Sequence, residues 1–219
     1  MDEDFLKEVA SQLRKPNGEF GNEVADKMNI SNREMNLKTI ESLNIQTGET
    51  ILEVGMANGA FVSQLLDHQK NVDYVGVDHS NEMVELAKRN NEFAVNKGYA
   101  KFLKGNISNL PCATNSVDKM FTVNTIYFWE NIYATIQECS RVLKMSGVLA
   151  ISIRPEGCLR LYPSTQFNFK YFKKSDIEKI LIEGGFEIIL SIQNSEAETE
   201  ILDQQITPEY AIIVGKKVI

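Results

Sequence analysis

The tightest constraint on this chain is the stretch Ile51-Leu52-Glu53-Val54-Gly55-Met56-Ala57-Asn58-Gly59-Ala60-Phe61-Val62. A short apolar run holding one acid gives way to small residues and then to the start of a helix. A strand that ends in a glycine turn and feeds a helix lets backbone come close to a ligand, because no Cβ stands in the way. A second apolar run, Tyr74-Val75-Gly76-Val77, ends in Asp78. An acid about twenty residues beyond such a loop is placed to accept hydrogen bonds from ribose hydroxyls. The expectation is an adenosine-bearing cofactor bound at this loop.

The remaining pattern alternates. Helical periodicity is visible over 3–14, through Phe5, Leu6, Val9, Ala10 and Leu13, and again over 19–29. Ser31-Asn32-Arg33-Glu34 has the form of a capping box and predicts a helix start there. Strands are expected at 51–54, 73–77, 100–103 and 116–123, with helices between them. A further helix over 132–143 leads to a turn at Met145-Ser146-Gly147. The run Val148–Ile153 is apolar throughout, as a strand buried on both faces should be. Strands alternating with helices at this spacing predict an α/β fold, a mostly parallel sheet with helices on both faces. The end differs: after Gly184-Gly185, the runs Phe186–Ile192 and Glu209–Val214 have only an acidic link between them. Two such strands should pair antiparallel as a C-terminal hairpin. No Pro-, Gly- or Ser-rich linker divides the chain. One domain over 1–219 is expected, with 1–48 as an N-terminal helical cap on a cofactor-binding α/β core at 49–219.

Charge and cysteine usage exclude several classes. A formal net charge of −7 over 219 residues argues against a general nucleic-acid binder. Cys112, Cys139 and Cys158 are widely spaced, no CxxC pair exists, and the two histidines are far apart, so no metal site is expected. Reduced thiols and the acidic start Met1-Asp2-Glu3-Asp4, which lacks a signal-peptide layout, point to the cytoplasm. No apolar run approaches the ~20 residues that span a bilayer. Oligomeric state is left open.

Four stretches, in order and spacing, resemble the class I S-adenosylmethionine-dependent methyltransferases. They are Glu53–Gly59, Gly76-Val77-Asp78-His79-Ser80, Gly105-Asn106-Ile107 and Glu138–Gly147. The resemblance covers residues 35–215 and is strongest to the quinone-biosynthesis and other small-molecule methyltransferases. It implies a Rossmann-like seven-stranded sheet, S-adenosyl-L-methionine as cofactor and a small-molecule substrate. It also implies a cofactor site built from Glu53, Gly55, Met56, Ala57, Asn58, Gly59, Asp78, His79, Met83, Gly105, Asn106, Ile107 and Asn124. The chain departs from the family at three places. Ala57 stands where glycine is usual, so the turn is expected to keep it at an ordinary backbone angle. Asn106 stands where aspartate is common, and Met145-Ser146 replaces Pro-Gly.

Within that reading Asp78 takes the ribose, while Glu53 either contacts the cofactor amino group or braces the loop. Ser80 is expected as a helix N-cap. Ile107 and Met83 would cover the adenine faces or simply fill core. Methyl transfer needs nucleophile and methyl held in line, and a base only if the nucleophile arrives protonated. No catalytic residue is assigned: His68 lies at the far end of its helix from the loop, and His79 belongs to the ribose side. The acceptor is expected beyond the carboxyl ends of the fourth and fifth strands. There Tyr127 and Trp129, with Phe128, form an aromatic cluster. Arg154, Arg160 and Tyr162 could bind an anionic group or lie in a solvated loop, and Phe20 could belong to a lid. Two alternatives stand beside this: a nicotinamide-dependent oxidoreductase, and a cofactor-binding but inactive partner subunit.

Overall fold

The computed structural model describes residues 2–68, 71–201 and 204–219, and the side chains of all of these except 67, 68, 201 and 204. Three helices come first: α1 (Glu3–Arg14), α2 (Gly18–Ser31) and α3 (Arg33–Ser42). Asp2 caps α1 by accepting from the Asp4 N–H at 3.2 Å, and Glu3, Asp4 and Arg14 match the charges of its ends. The capping box expected at Ser31 does not form. Ser31 is still helical, its hydroxyl turns back to the Met28 carbonyl, and Asn32 ends α2 and begins α3 with no side-chain cap. α3 lies on the sheet face, with Met35 fully buried and Thr39 Oγ1 2.6 Å from Ser152 Oγ.

The α/β part follows as β1 (Thr50–Val54), α4 (Val62–His68), β2 (Asp73–Asp78), α5 (Asn81–Asn90), α6 (Glu92–Asn96) and β3 (Ala100–Lys104). It continues with β4 (Val117–Val123), α7 (Ile132–Val142), β5 (Leu143–Ile153), α8 (Glu156–Leu159), α9 (Lys174–Glu183) and β6 (Phe186–Ser195). β7 (Thr199–Ile201), β8 (Gln204–Ile206) and β9 (Glu209–Lys217) close the described chain. Seven strands form one sheet in the order β3-β2-β1-β4-β5-β9-β6, parallel from β3 to β5. β9 runs antiparallel to both its neighbours, pairing Ile151 with Ile213 on one side and Ile192 with Ile212 on the other. The expected antiparallel ending is therefore present. The acidic link between its strands carries a small separate hairpin, β7–β8.

The expected turn at Met145–Gly147 lies inside β5. Leu143 pairs with Val117 and Val148 with Lys119, so the residues between them bulge, with Ser146 at φ 63°. Strand alternation splits the apolar residues into two cores. Leu52, Val54, Met120 and Leu149 face α7 and α9, while Ile51, Tyr74, Phe121 and Ala150 face α3, α4 and α5. Glu53 shares the second face with Ile51. The strand order reverses between β1 and β4, which opens a crevice at their carboxyl ends.

Candidate active site

The loop after β1 is built by backbone that turns left-handed three times, at Gly55, Ala57 and Gly59. Gly55 has φ 78° and donates its N–H to the Val77 carbonyl at 2.8 Å; a Cβ there would lie 2.4 Å from Thr125 Cγ2. Ala57, expected at an ordinary angle, instead has φ 48°. That angle comes with a tie to the neighbouring strand, since the Ala57 N–H donates to Asp78 Oδ2 at 3.1 Å. Asp78 Oδ1 accepts from the Ser80 N–H at 2.8 Å. Ser80 is the expected N-cap of α5: its Oγ accepts from the Met83 N–H at 3.3 Å and donates to the Pro16 carbonyl at 2.6 Å. Asp78 thus braces the loop and lines the cavity beside it. Burial raises its pKa, against the N–H groups of Ser80 and Ala57, which favour the charge. Burial lowers the pKa of His79, whose Nδ1 is 3.9 Å from Asp78 Oδ1.

Glu53 is buried where a strand residue would normally be apolar. Its Oε2 accepts from the Tyr74 hydroxyl at 2.5 Å. Burial pushes its carboxyl up to about 7; the Tyr74 bond opposes this and the Asp78 charge adds to it. The Tyr74 partnership was missed from the sequence, although alternation along β1 and β2 places both side chains on one face.

A cavity of about 290 Å³ opens above these strand ends. Of the residues expected at the cofactor, Glu53, Gly55, Met56, Ala57, Asp78 and His79 line it from β1 and β2. Gly105, Asn106 and Ile107 line it after β3, and Asn124 after β4. Asn106 Oδ1 accepts from the Ser108 N–H and hydroxyl, at 3.0 and 3.1 Å, which turns its amide hydrogens away from Ser108. Three expected residues lie behind the wall. Asn58 is bonded to Asn29 and Asp26 of α2, the Gly59 carbonyl accepts from Asn91 at 3.0 Å, and Met83 is fully buried in the first turn of α5.

Among the residues expected at the acceptor, Trp129 and its neighbour Phe128 line the cavity, and Phe20, Tyr127, Arg154, Arg160 and Tyr162 do not. Tyr127 is buried, and its hydroxyl accepts from the Arg154 N–H at 2.6 Å and lies 2.8 Å from Asn124 Oδ1. Arg154 is no open anion site. It pairs with Glu196 at 2.9 Å, donates to the Ser31 carbonyl at 2.8 Å and is 5 % exposed. Tyr162 sits 5.9 Å from that guanidinium, Phe20 packs on Phe5, and Arg160 pairs with Glu156. The side chain of His68 lies outside the described residues.

What the sequence reading missed is the polar wall from the N-terminal helices. Asn29, Asn32 and Asn36 line the cavity with Arg14, opposite Thr125, Phe128, Asn131 and Thr135. The spacing alone did not reveal it: Asn29 comes from α2, Asn32 from the junction and Asn36 from α3, and the packing of the two helices turns all three inward. Asn124, at φ 56°, links the two walls through its Nδ2 to Asn32 Oδ1 at 3.1 Å. Among the described residues no group of three or more His, Cys, Asp or Glu could hold a metal ion, and no helix is long and apolar enough to cross a membrane.

Comparison with known proteins matches residues 52–151 to the methyltransferase domain family. The chain is 29% identical over 157 residues to the uncharacterized methyltransferase YdaC of Bacillus subtilis, covering 72% of this chain and 82% of that one. It is 30% identical over 116 residues to malonyl-[acyl-carrier protein] O-methyltransferase 1 of Coxiella burnetii, covering 52% of this chain and 37% of that one. In fold it is similar to the putative methyltransferase solved with the Haloferax volcanii Trm112 methyltransferase activator. That likeness has a TM-score of 0.77 at 18% identity, over 89% of this chain and 93% of that one.

Proposed function

The chain belongs to the class I S-adenosylmethionine-dependent methyltransferases, and we propose that it methylates a small molecule seated at the asparagine-lined end of the cavity. S-adenosylmethionine is the methyl donor, and the residues present suit it. One observation carries the reading: two buried carboxylates, Glu53 and Asp78, reach one cavity from the ends of adjacent strands beside a glycine loop. Bound there, the donor supplies a methyl carbon already activated by its sulfonium. Asp78 would take ribose hydroxyls through the lone pairs that Ala57 and Ser80 leave. Glu53 would accept from the amino group. Ile107 would cover the adenine, with the Asn106 amide hydrogens toward its edge. Gly55, Met56, Ala57 and Gly105 would let backbone approach, while Asn58, Gly59 and Met83 hold the loop from behind.

At the other end, Asn29, Asn32, Asn36, Phe128 and Trp129 would orient the acceptor. Holding nucleophile and methyl in line is the chain's contribution to rate, a proximity effect with no general base assigned. The neutral amides and aromatic rings of that end favour a small acceptor, and the relative named for malonyl-[acyl-carrier protein] is consistent with metabolic rather than nucleic-acid substrates. The net charge of −7 supports the same exclusion. We take residues 1–219 as one domain acting in the cytoplasm, where Cys112, Cys139 and Cys158 remain free thiols. The oxidoreductase and inactive-subunit alternatives find no support in the family match.

Calorimetry with S-adenosylmethionine and S-adenosylhomocysteine tests the cofactor site. The unaltered protein should bind both, and Asp78→Asn, which cannot accept from both the Ala57 and Ser80 N–H groups, should weaken binding at least tenfold. Binding of neither ligand would defeat the reading. Release of S-adenosylhomocysteine across a metabolite panel then identifies the acceptor.

A further inference from the structure

We propose that Tyr74 is a positioning residue for the cofactor: its phenol holds Glu53 by one carboxylate oxygen and leaves the other for the donor's cationic amino group. The inference rests on the cofactor reading above and adds a residue to it. In the parallel register Glu53 lies opposite Gly76, so Tyr74, two residues earlier on β2, shares its face. The Tyr74 side chain runs along the sheet to reach Glu53 Oε2 at 2.5 Å and is 1 % exposed. Gly76 makes room for it, since a Cβ there would come within 3.0 Å of the Tyr74 hydroxyl. No other described group bonds the Glu53 carboxylate, which lines the cavity.

The surroundings explain why one neutral donor matters. On β4 the residue opposite Glu53 is Phe121, which is apolar. Of the charged or titratable groups around the cavity, Asp78 lies at the end of β2 with His79 beside it, Arg14 comes from α1 and Glu130 follows β4. Asp78 disfavours a second negative charge, and burial does so more strongly. The phenol is the group that favours the carboxylate over the carboxyl. Without it Glu53 would hold its proton to higher pH and face the ammonium group uncharged.

The sign follows. The charged form of Glu53 holds the amino group, so affinity is present above its pKa and falls as pH drops through about 7. Tyr74→Phe removes a bond that lowers this pKa, so the curve moves to higher pH. Each unit of movement is a tenfold change in affinity on the acid side. S-adenosylhomocysteine binding by calorimetry from pH 6 to 8.5 reads this out for the unaltered protein, Tyr74→Phe, Glu53→Gln and the double variant. Tyr74→Phe should bind within about twofold of the unaltered protein at pH 8.5 and roughly tenfold more weakly at pH 6.5. Glu53→Gln should flatten the pH dependence, and adding Tyr74→Phe to it should change nothing further. An equal loss at every pH would mark Tyr74 as merely structural and overturn the proposal, as would unchanged curves. If Tyr74→Phe does not fold, Gly76→Ala displaces the hydroxyl while keeping the ring and should move the curve the same way. A failure of the cofactor reading looks different: the unaltered protein would then bind no S-adenosylhomocysteine at any pH.

Discussion

Ala57 holds a backbone angle that costs an alanine energy and a glycine none, so Ala57→Gly should stabilise the protein. The residue sits at φ 48° while its N–H donates to Asp78 Oδ2 at 3.1 Å. Left-handed backbone costs an L-residue with a Cβ roughly 1–2 kcal/mol. Glycine gives back about 0.4–1 kcal/mol through the greater freedom of its unfolded chain. The net gain is about 0.5–1 kcal/mol, or about 1–4 °C in Tm for a chain of this size. Cofactor affinity should barely move. The bond to Asp78 holds the angle in the unliganded protein, so the strain is present before and after binding and cancels. Differential scanning calorimetry, with S-adenosylhomocysteine titrations beside it, measures both quantities. A fall in Tm would refute the strain argument. A tenfold tighter Kd without a change in Tm would show instead that the loop relaxes when empty and pays the strain on binding.

Gly55→Ala combines a φ of 78° with a Cβ 2.4 Å from Thr125 Cγ2. It should cost roughly 2–4 kcal/mol by urea unfolding. Thr125→Ser, which removes that methyl and keeps the hydroxyl, should recover the steric part; no recovery would place the cost elsewhere. Glu53→Gln should stabilise the protein more at alkaline than at acidic pH. A carboxyl raised from 4.5 to about 7 on folding carries a penalty that is absent below 4.5, grows between the two values and is constant above 7. The gain should be on the order of 3 kcal/mol at pH 8 and about half that at pH 5.5, and a gain that shrinks toward alkaline pH would reverse the sign. Arg154→Met leaves the Glu196 carboxylate, whose side chain is 11% exposed, without its cation, at a cost of about 3 kcal/mol in chemical denaturation, whereas replacing both with methionine should recover much of it. An equal loss in the single and double variants would argue against an uncompensated charge.

The fold was legible because its signals are local and repeated. Alternating apolar runs, the glycine loop and the strand pair after Gly185 fixed a parallel sheet with an antiparallel end, as observed. Element types held where periodicity was long, while the capping box failed because α2 continues through Ser31. The cavity wall carried by β1, β2 and the β3 loop was readable for the same reason: its residues lie next to the turns that place them. The wall proposed for the acceptor was not. Tyr127 and Arg154 have the chemistry of ligands, yet they bond to each other and to Asn124 and Glu196, and only tertiary structure shows a side chain already satisfied. Asn29, Asn32 and Asn36 look like an ordinary solvated face until α2 and α3 lie across the strand ends. Ala57 was misjudged because composition shows the cost of a left-handed alanine but not the bond to Asp78 that holds it there.

The position of β9 sets an order of assembly. The strand nearest the carboxyl end of the described chain does not lie at the rim of the sheet but between β5 and β6. During synthesis, the apolar edge of Leu143–Ile153 has no partner on that side until Glu209–Lys217 has been made. β6 has none on either side, because its pairing in the sheet is to β9. Ribosome-bound chains ending near residue 205 would therefore expose an open β edge of the kind that recruits other strands. Closing it joins residues far apart in sequence, which is slow for a chain of this topology. Completion of the sheet thus waits for β9, and the vulnerable interval ends when that one strand inserts.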